Sequence, residues 1–452
     1  MDANKSNGRA AFGSRMGVIL ATAGSAVGLG NIWRFPYIVG ESGGAAFILL
    51  YISCILILGL PAMISELYIG RATQKNAAGA FKELAPKTGW SIIGYNGIIS
   101  CTLILGFYSV IAGWTLKYLL SAIQGDIAGK TAAEFQEEFT LFSTDIVSPI
   151  IGSAVFILMT HIIIAMGVEK GIEKASKFMM PLLFLLLIIL SFRSITMDGA
   201  EEGVKFLFNP DFSKIDSSAI LNAIGQAFFS LSIGMGCLIT YASYFSKETN
   251  LQKTAIEVAV LDTLVAILAG LMIFPAVFSF GIEPTAGPEL VFITLPNIFG
   301  QMAGGSTWAT IFFILLAVAA LTSTISLHEV TTAYLHEEKN ISRSKATLIV
   351  SLFTFALSAV CSLSIGVWKE YTIFGLSFFD LLDFLTAKIL MPLGGMFVCL
   401  FIAHRVDKNI LKQELTNKGT VPFYFFNTYV FLVRWVAPIL ISLILINELN
   451  LI

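Results

Sequence analysis

Long stretches of apolar residues alternate with short polar segments along most of the chain. A window of about twenty residues, enough for an α-helix to cross the hydrocarbon core of a bilayer, finds eleven such stretches. We number them spans 1 to 11 in chain order and predict one transmembrane helix in each: residues 15–39, 42–69, 89–122, 147–167, 174–195, 217–246, 254–281, 306–336, 343–363, 374–403 and 423–449. Residues 285–303 hold two prolines and are too short for a span, so we predict an external loop with helical turns there.

The composition supports a polytopic, all-α membrane protein. Apolar residues make up 56% of the chain and charged residues only 13%, about half the share of ordinary soluble domains. A net charge of -2 offers no basic face to a nucleic acid. These figures exclude a soluble enzyme, a disordered chain and a nucleic-acid-binding protein. Runs of about twenty apolar residues, instead of alternating ten-residue segments, also exclude a transmembrane β-barrel.

Lysine and arginine indicate the orientation in the membrane. With the N-terminus inside, the cytoplasmic segments hold 19 of the 28 basic residues, the outer loops hold five, and four lie within spans. This bias follows the positive-inside rule. An odd number of spans then places the C-terminus outside. The polar first fifteen residues, followed by a long and glycine-rich apolar run, do not fit a cleavable signal peptide.

The cysteines and histidines show no spacing typical of a disulfide or metal site. The five cysteines form no CxxC pair and all lie in apolar stretches, which predicts small buried side chains: Cys54, Cys101, Cys237, Cys361 and Cys399. The four histidines do not cluster, which favours ordinary packing or loop positions over a metal site: His161, His328, His336 and His404. No organic cofactor is expected.

Two spans carry residues that are costly in a membrane helix. Span 1 has three glycines within residues 24–30, followed by Asn31 and Arg34. Each glycine costs about 1 kcal/mol in a helix interior, and an arginine in the membrane costs several kcal/mol. Span 6 repeats the order apolar-Gly-apolar-Gly at residues 233–236. Either segment alone fits close helix packing through small residues, but the pair at matching positions indicates the broken helices of a transporter.

The first and sixth of ten spans are corresponding positions in two five-helix repeats. We therefore predict a 5+5 inverted repeat with discontinuous first and sixth helices. The predicted units are a cytoplasmic segment 1–14, a first repeat 15–195, an extracellular loop 196–216, a second repeat 217–403 and an additional helix 423–449. Unwound backbone exposes carbonyls for a hard cation and amides for a carboxylate. An amino acid with Na⁺ fits such a site better than a sugar.

Three segments carry a resemblance to a known family. They read GSAVGLGNIWRFPY in span 1, GQAFFSLSIGMGCLITYASY in span 6 and ALTSTISL in span 8. They closely resemble the neurotransmitter:sodium symporter family, and most of all its bacterial eleven-helix branch. The resemblance implies Na⁺-coupled import of hydrophobic, in particular aromatic, L-amino acids such as tyrosine, tryptophan, phenylalanine and leucine. It also implies a bacterial inner-membrane protein that is a monomer or weak dimer.

The resemblance implies two sodium sites. The first, completed by the substrate carboxylate, is formed by Ala26, Asn31, Ser230 and Asp262. The second is formed by Gly24, Val27, Ala319, Thr322 and Ser323. Without the resemblance, hydrogen bonds to the preceding helical turn would explain the hydroxyls of Thr322 and Ser323 better than sodium binding does. Asp262 is also a candidate on cost alone, as an acid in an apolar span, although a helix-end residue is the alternative. Because animal carriers have asparagine there and need chloride, the resemblance implies chloride-independent transport.

The resemblance also implies a substrate site. The amides of Leu29 and Gly30 and the Tyr108 hydroxyl hold the carboxylate. The ammonium group is held by the carbonyls of Ala26, Phe229 and Ser230 and by the Ser232 hydroxyl. The side-chain pocket comprises Ser25, Ile104, Phe229, Met235, Ser323 and Leu327, and Phe229 is the lid. No acidic residue matches the aspartate by which monoamine carriers bind an amine.

Gates and moving parts follow from the same resemblance. Arg34 is expected to pair with Asp383 at the outer mouth, directly or through water, and Asp380 is the rival. Arg9 is expected to pair with Glu337 at the inner mouth. Phe12, where the family usually has tryptophan, and Tyr244 lie alongside. An interfacial charge without a gating role is the alternative for each pair.

Two further residues extend this scheme. The spacing from Gly171 to Pro181 implies that the inner end of span 5 can unwind, with a simple proline kink as the alternative. Glu66 is expected to brace the broken part of span 6.

Two rivals remain open, and one is excluded. No span brings histidine near serine or cysteine in a catalytic motif, which argues against a membrane enzyme. A proton-coupled amino-acid carrier of the same fold remains a rival, although the hydroxyls of Thr322 and Ser323 favour Na⁺. A sensor that binds an amino acid without moving it is the other rival.

Overall fold

A computed structural model describes residues 10–282 and 290–448 and contains no β-strand within these ranges. Nine of the helices described are long and apolar enough to cross a membrane. They are Ala45–Thr73, Ser91–Gln124, Ser148–Ala165, Val168–Ile195, Leu251–Ser279, Gly305–Glu338, Arg343–Ile365, Phe378–Arg405 and Phe426–Glu448. A bent pair, Arg15–Ala26 and Gly30–Glu41, qualifies as a tenth span. The prediction of an all-α polytopic membrane protein is therefore confirmed.

Span 1 is broken where its glycines and Asn31 occur. Ser14 caps its first helix by accepting a hydrogen bond from Gly17 N, and the helix ends at Ala26. Val27 is extended, with φ -74° and ψ 113°, and the chain bends by 51° before the second helix. A Cβ atom on Gly28 would lie 2.1 Å from Ser323 Oγ, so the break needs a glycine there to approach span 8.

Span 6 consists of two short helices, Ser217–Ser230 and Cys237–Ala242. Between them, Ser232, Gly234 and Gly236 have φ values of 54°, 83° and 77°. This left-handed backbone cannot continue a right-handed helix. Each piece alone is too short to cross a bilayer.

The two longest helices lie at the centre of the bundle. Ser91–Gln124 and Gly305–Glu338 have 34 residues each, so each is about 50 Å long. Most of their residues are buried, as expected for central helices. The outer helices instead expose large apolar side chains such as Phe178, Phe192 and Leu352, as a lipid-facing surface requires.

The connecting segments contain short helices that the hydrophobic pattern did not predict. They are Ala77–Leu84, Ala132–Thr144, Ala200–Phe208 and Lys408–Leu415. The helix Ala132–Thr144 could have been predicted from its local sequence, because Thr131 and Glu134 form a capping box at its start. Residues 285–303 contain the short helix Thr294–Gln301, in agreement with the predicted helical turns, and residues 283–289 lie outside the part described.

Candidate sodium and substrate site

Polar side chains from the two broken spans and span 7 meet in the middle of the protein. Asn31 Nδ2 donates hydrogen bonds to Asp262 Oδ1 at 2.7 Å and to Ser230 Oγ at 3.1 Å. Ser230 Oγ lies 2.8 Å and 2.9 Å from the two carboxylate oxygens of Asp262. The side-chain oxygen of Asn31, Oδ1, accepts a hydrogen bond from Gly28 N at 3.1 Å, which fixes the side chain against the break. The side chains predicted for the first of the two sodium sites are therefore in direct contact.

The Asp262 carboxylate is fully buried and is surrounded by neutral donors. Tyr51, which the sequence reasoning missed, donates from its hydroxyl to Asp262 Oδ2 at 3.1 Å. Among the described residues, no lysine or arginine nitrogen lies within 4.0 Å of this carboxylate. An unpaired buried carboxylate is very costly in free energy. A bound cation or a proton would relieve this cost.

The second predicted sodium site lies between spans 1 and 8. Thr322 Oγ1 is 3.1 Å from the Val27 carbonyl oxygen and 2.8 Å from that of Ala319. Gly24 faces the Thr322 side chain closely enough for an added Cβ to be 3.5 Å away. The hydroxyl therefore bonds both to its own preceding turn and across to the broken helix. Ser323 differs, because its hydroxyl faces Gly28 and the neighbouring cavity.

A small cavity of about 30 Å³ lies beside these groups. Its lining residues come from both breaks and from spans 3 and 8: Ser25, Ala26, Gly28, Gly30, Ile104, Tyr108, Phe229, Ser230, Ser232, Met235, Ser323, Ser326 and Leu327. Every predicted substrate residue except Leu29 is in this lining. Leu29 contributes its backbone instead, because Leu29 N donates to the Tyr108 hydroxyl at 3.0 Å. Gly28 and Ser326 were not among the predicted substrate residues.

Hydrogen bonds link the broken segments of spans 1 and 6 to each other and to span 2. Ser232 Oγ donates to the Ser25 carbonyl at 2.7 Å, and Gln226 Nε2 donates to the Gly30 carbonyl at 3.2 Å. Glu66 accepts from Gly234 N at 2.6 Å, the contact expected of a brace. These bonds satisfy backbone groups that unwinding would otherwise leave unpaired.

Arg34 packs against Phe229, one of the residues that line the cavity. The guanidinium carbon of Arg34 lies 4.6 Å from the centre of the Phe229 ring, a cation–π contact. No ion pair within 4.0 Å joins Arg34 to Asp383 in the part of the chain described. Asp380 instead accepts from Ser377 Oγ at 2.6 Å, and Ser377 caps the helix by accepting from Asp380 N at 3.1 Å. A direct outer-gate ion pair is thus not formed in this structure.

The segment that precedes span 1 packs against the end of span 6. Phe12 N donates to the Tyr244 carbonyl at 3.1 Å, and its ring packs edge-on against Tyr241 and Tyr244. Glu337 accepts from the Asn76 side chain and backbone amide, each at 2.9 Å. Arg9 lies outside the described residues, so its predicted pairing with Glu337 stays a prediction.

A second contact of Tyr244 was missed by the sequence reasoning. The Tyr244 hydroxyl donates to Glu329 Oε1 at 2.7 Å, and Glu329 pairs with Arg343 Nη2 at 2.6 Å. This chain of contacts joins the C-terminal end of span 6 to spans 8 and 9. Each residue alone looked like an ordinary polar position in the sequence.

Span 5 is helical from its N-terminal end in this structure. Residues Val168–Glu173 form a π-helical turn, and Lys174–Ile195 continue as an α-helix through Pro181. A Cβ on Gly171 would lie 2.0 Å from the Ile163 carbonyl oxygen, so this glycine allows close packing on span 4. Unwinding of this end stays a prediction.

Two of the histidines, which are far apart in the sequence, meet at one serine in the fold. His161 Nδ1 and His328 Nε2 lie 2.8 Å and 2.9 Å from the same Ser351 Oγ. The three residues belong to spans 4, 8 and 9, so only folding brings them together. No group of three metal-binding side chains occurs in the ranges described. All five cysteines are buried and free, as predicted.

Comparison with known proteins identifies the family. Residues 9–148 and 148–451 match the sodium:neurotransmitter symporter family. The uncharacterised sodium-dependent transporter YhdH of Bacillus subtilis is 39% identical over 436 residues, which cover 96% of this chain and 97% of the relative. An uncharacterised sodium-dependent transporter of Haemophilus influenzae is 38% identical over 454 residues, or 98% of each chain.

A solved structure supports the same assignment. The crystal structure of MhsT in complex with L-phenylalanine is similar with a TM-score of 0.90 and 44% identity, over 98% of this chain and 100% of that one. The extent of these matches covers both broken helices and the cavity between them. The chain is therefore a member of the sodium:neurotransmitter symporter family, whose proteins are membrane transporters and not enzymes.

Proposed function

We propose that this protein imports hydrophobic L-amino acids, aromatic ones in particular, together with Na⁺ by alternating access. One observation carries the proposal. Asn31, Ser230 and the unpaired Asp262 carboxylate converge at two helix breaks beside a cavity. Such a group of oxygens suits a hard monovalent cation, and the adjoining backbone amides suit a carboxylate.

Two sodium ions are proposed to travel with the substrate. The first uses Ala26, Asn31, Ser230, Asp262 and the substrate carboxylate, so that ion and substrate bind as one unit. The second uses the carbonyls of Gly24, Val27 and Ala319 and the hydroxyls of Thr322 and Ser323. The contacts of Thr322 Oγ1 with two carbonyl oxygens support this second site. A fixed Asp262 charge balances the first ion, so chloride is not required.

The substrate proposal is supported by the lining of the cavity. The amides of Leu29 and Gly30 with Tyr108 receive the carboxylate, and the carbonyls of Ala26, Phe229 and Ser230 with the Ser232 hydroxyl receive the ammonium group. The walls otherwise present apolar side chains, including the adaptable Met235. None of the described residues that line the cavity is acidic, which disfavours a monoamine. The binding of L-phenylalanine by MhsT supports the same class of substrate.

The membrane topology is proposed from the same helices. Span 6, although broken, crosses the bilayer as one of eleven spans, and spans 1–5 and 6–10 form inverted repeats. The protein lies in the bacterial plasma membrane with its N-terminus inside and its C-terminus outside. Arg34 with Asp383, and Arg9 with Glu337, act as outer and inner gates. Spans 1, 2, 6 and 7 rock against the rest, and span 5 unwinds at Gly171 to release the second ion.

A transport assay in proteoliposomes tests the proposal. Labelled phenylalanine is added outside with Na⁺ or K⁺, and each of the twenty amino acids is added as a competitor. We expect accumulation only with Na⁺ and the strongest competition from tyrosine, tryptophan, phenylalanine or leucine. Accumulation driven by a proton gradient alone would favour a proton-coupled carrier, and binding without accumulation would favour a sensor. Strongest competition by glycine or glutamate would contradict the assigned pocket.

A further inference from the structure

Spans 4, 8 and 9 contribute polar side chains to one continuous chain of hydrogen bonds. His161 Nδ1 lies 2.8 Å from Ser351 Oγ, and His328 Nε2 lies 2.9 Å from the same oxygen. The other ring nitrogen of His328, Nδ1, lies 2.9 Å from Thr332 Oγ1. His328 and Thr332 are buried, whereas His161 is half-buried. The chain therefore runs from a partly accessible imidazole ring to a buried one.

Two arrangements of protons satisfy this chain while both rings are neutral. A neutral imidazole has one nitrogen that donates and one that accepts, and a hydroxyl group can do both. In the first arrangement, Thr332 donates to His328, His328 donates to Ser351, and Ser351 donates to His161. In the second arrangement, each of these three bonds is reversed. A proton that binds to His161 makes its Nδ1 a donor, so it selects the second arrangement and turns the Ser351 proton towards His328.

One permanent charge acts on this chain. Among the described residues, the charged and titratable groups that act electrostatically on His328 are His161 and Arg343. Arg343 is ion-paired with Glu329, which follows His328 on span 8. Titratable side chains on the neighbouring spans 3 and 5 have other contacts: Tyr95 packs on Tyr334, Cys101 contacts Cys237, Tyr108 bonds to Leu29 N, and Glu173 pairs with Lys177.

We propose that His161, Ser351 and His328 together form a binding site for one proton, and that this proton weakens Na⁺-dependent substrate binding. The proton enters at the half-buried His161 ring and is shared with His328 through the serine hydroxyl. The site uses none of the residues assigned to sodium or substrate, so it adds a further ligand to the protein. Its effect on substrate binding rests on the proposed function.

The ion pair beside His328 connects the proton to the substrate site. A positive charge on His328 repels the Arg343 guanidinium, so it weakens the pair that this arginine forms with Glu329. Glu329 Oε1 also accepts from the Tyr244 hydroxyl at 2.7 Å, which links span 8 to the C-terminal end of span 6. Span 6 contributes Ser230 and other residues to the cavity lining. Protonation therefore disfavours the arrangement of span 6 that forms the cavity.

Nuclear magnetic resonance of isotope-labelled histidine tests the proton site, because the chain has only four histidines. The spectra are followed from about pH 8 to about pH 5, where histidine titrates. We expect the signals of His161 and His328 to change together as the pair takes up one proton, and Ser351→Ala to uncouple them. His336 and His404, whose Nδ1 atoms contact backbone carbonyls, serve as internal controls. Independent titration of His161 and His328 in the parent protein, or no titration of either, would overturn the shared site.

Binding of labelled phenylalanine in Na⁺ tests the coupling. We expect the parent protein to bind about fivefold or more weakly at about pH 5 than at about pH 8. His161→Gln and Ser351→Ala should bring this ratio close to one, whereas Ser351→Thr, which keeps a hydroxyl, should retain it. His404→Gln is the matched control and should also retain it.

The outcomes separate this inference from the proposed function. A merely structural role of the cluster would weaken binding equally at both pH values in His161→Gln and Ser351→Ala. A ratio that stays as in the parent protein in these two variants would overturn the coupling and leave the symporter proposal standing. A parent protein without Na⁺-dependent phenylalanine binding would contradict the proposed function, and the histidine spectra would then decide the proton site alone.

Discussion

Asn31 Nδ2 lies 2.7 Å from Asp262 Oδ1, so the broken first span and the seventh span are joined by a buried hydrogen bond. The amide uses its oxygen to accept from Gly28 N. One side chain thus connects the unwound backbone to the carboxylate. Any group that binds to this carboxylate is therefore coupled to the shape of the break.

Replacing Asp262 by asparagine is expected to create chloride dependence. The amide keeps the size and some hydrogen bonds of the side chain but removes the negative charge that balances a bound cation. Na⁺-dependent phenylalanine uptake should fall at least about tenfold in gluconate and recover partly in chloride. The unmodified protein should transport equally in both anions. Strong chloride dependence of the unmodified protein would contradict the assignment of Asp262.

Removing the Thr322 hydroxyl is expected to weaken Na⁺ binding at the second site. Thr322→Val keeps the shape of the side chain but loses the oxygen that contacts Val27 and Ala319. The Na⁺ concentration for half-maximal substrate binding should rise about tenfold, which corresponds to about 1.4 kcal/mol. Thr322→Ser serves as the control because it keeps the oxygen. An unchanged Na⁺ dependence in Thr322→Val would show that the hydroxyl only bonds to its own helix.

Truncation of Glu66 should destabilise the protein through the break in span 6. Glu66→Ala leaves Gly234 N buried without its acceptor, which costs about 1–3 kcal/mol in the free energy of unfolding. Glu66→Gln keeps a carbonyl acceptor and should retain most of the stability. Thermal unfolding in detergent checks both variants. Equal stability of Glu66→Ala and the parent protein would mean that the contact does not brace the break.

Oxidation of two buried cysteines is expected to stop transport. Cys101 Sγ on span 3 lies 3.4 Å from Cys237 Sγ on the inner helix of span 6. A disulfide has a bond length of about 2.05 Å, so the two helices need to approach only slightly for the disulfide to form. Because span 6 is proposed to move relative to span 3, copper phenanthroline should inhibit uptake and dithiothreitol should restore it.

The same experiment has an internal control. Cys101→Ser and Cys237→Ser should each resist the oxidant, whereas Cys399→Ser should remain sensitive because Cys399 does not take part in this pair. Full uptake by protein that mass spectrometry shows to be cross-linked would contradict relative motion of these two spans.

Local features of the sequence predicted most of the architecture. Apolar runs located the spans, because each helix must cover about 30 Å of hydrocarbon. The glycines within residues 24–30 and 233–236 located the two breaks, because glycines and polar side chains destabilise a continuous membrane helix.

Contacts between distant residues were beyond such reasoning. His161 and Ser351 are 190 residues apart, and nothing near either one indicates the other. The pairing of Glu329 with Arg343 also depends on how the inner ends of two spans turn towards each other. The contact of the Arg34 guanidinium with the Phe229 ring illustrates the same limit, because nothing near either residue in the sequence indicates it.

Simultaneous uptake of radioactive sodium and a labelled aromatic amino acid into proteoliposomes tests the central claim most directly. The account predicts that each solute enters faster when the other is present outside, and that Asp262→Ala abolishes this mutual stimulation. Amino-acid accumulation that proceeds without sodium entry, or mutual stimulation that survives in Asp262→Ala, would contradict it.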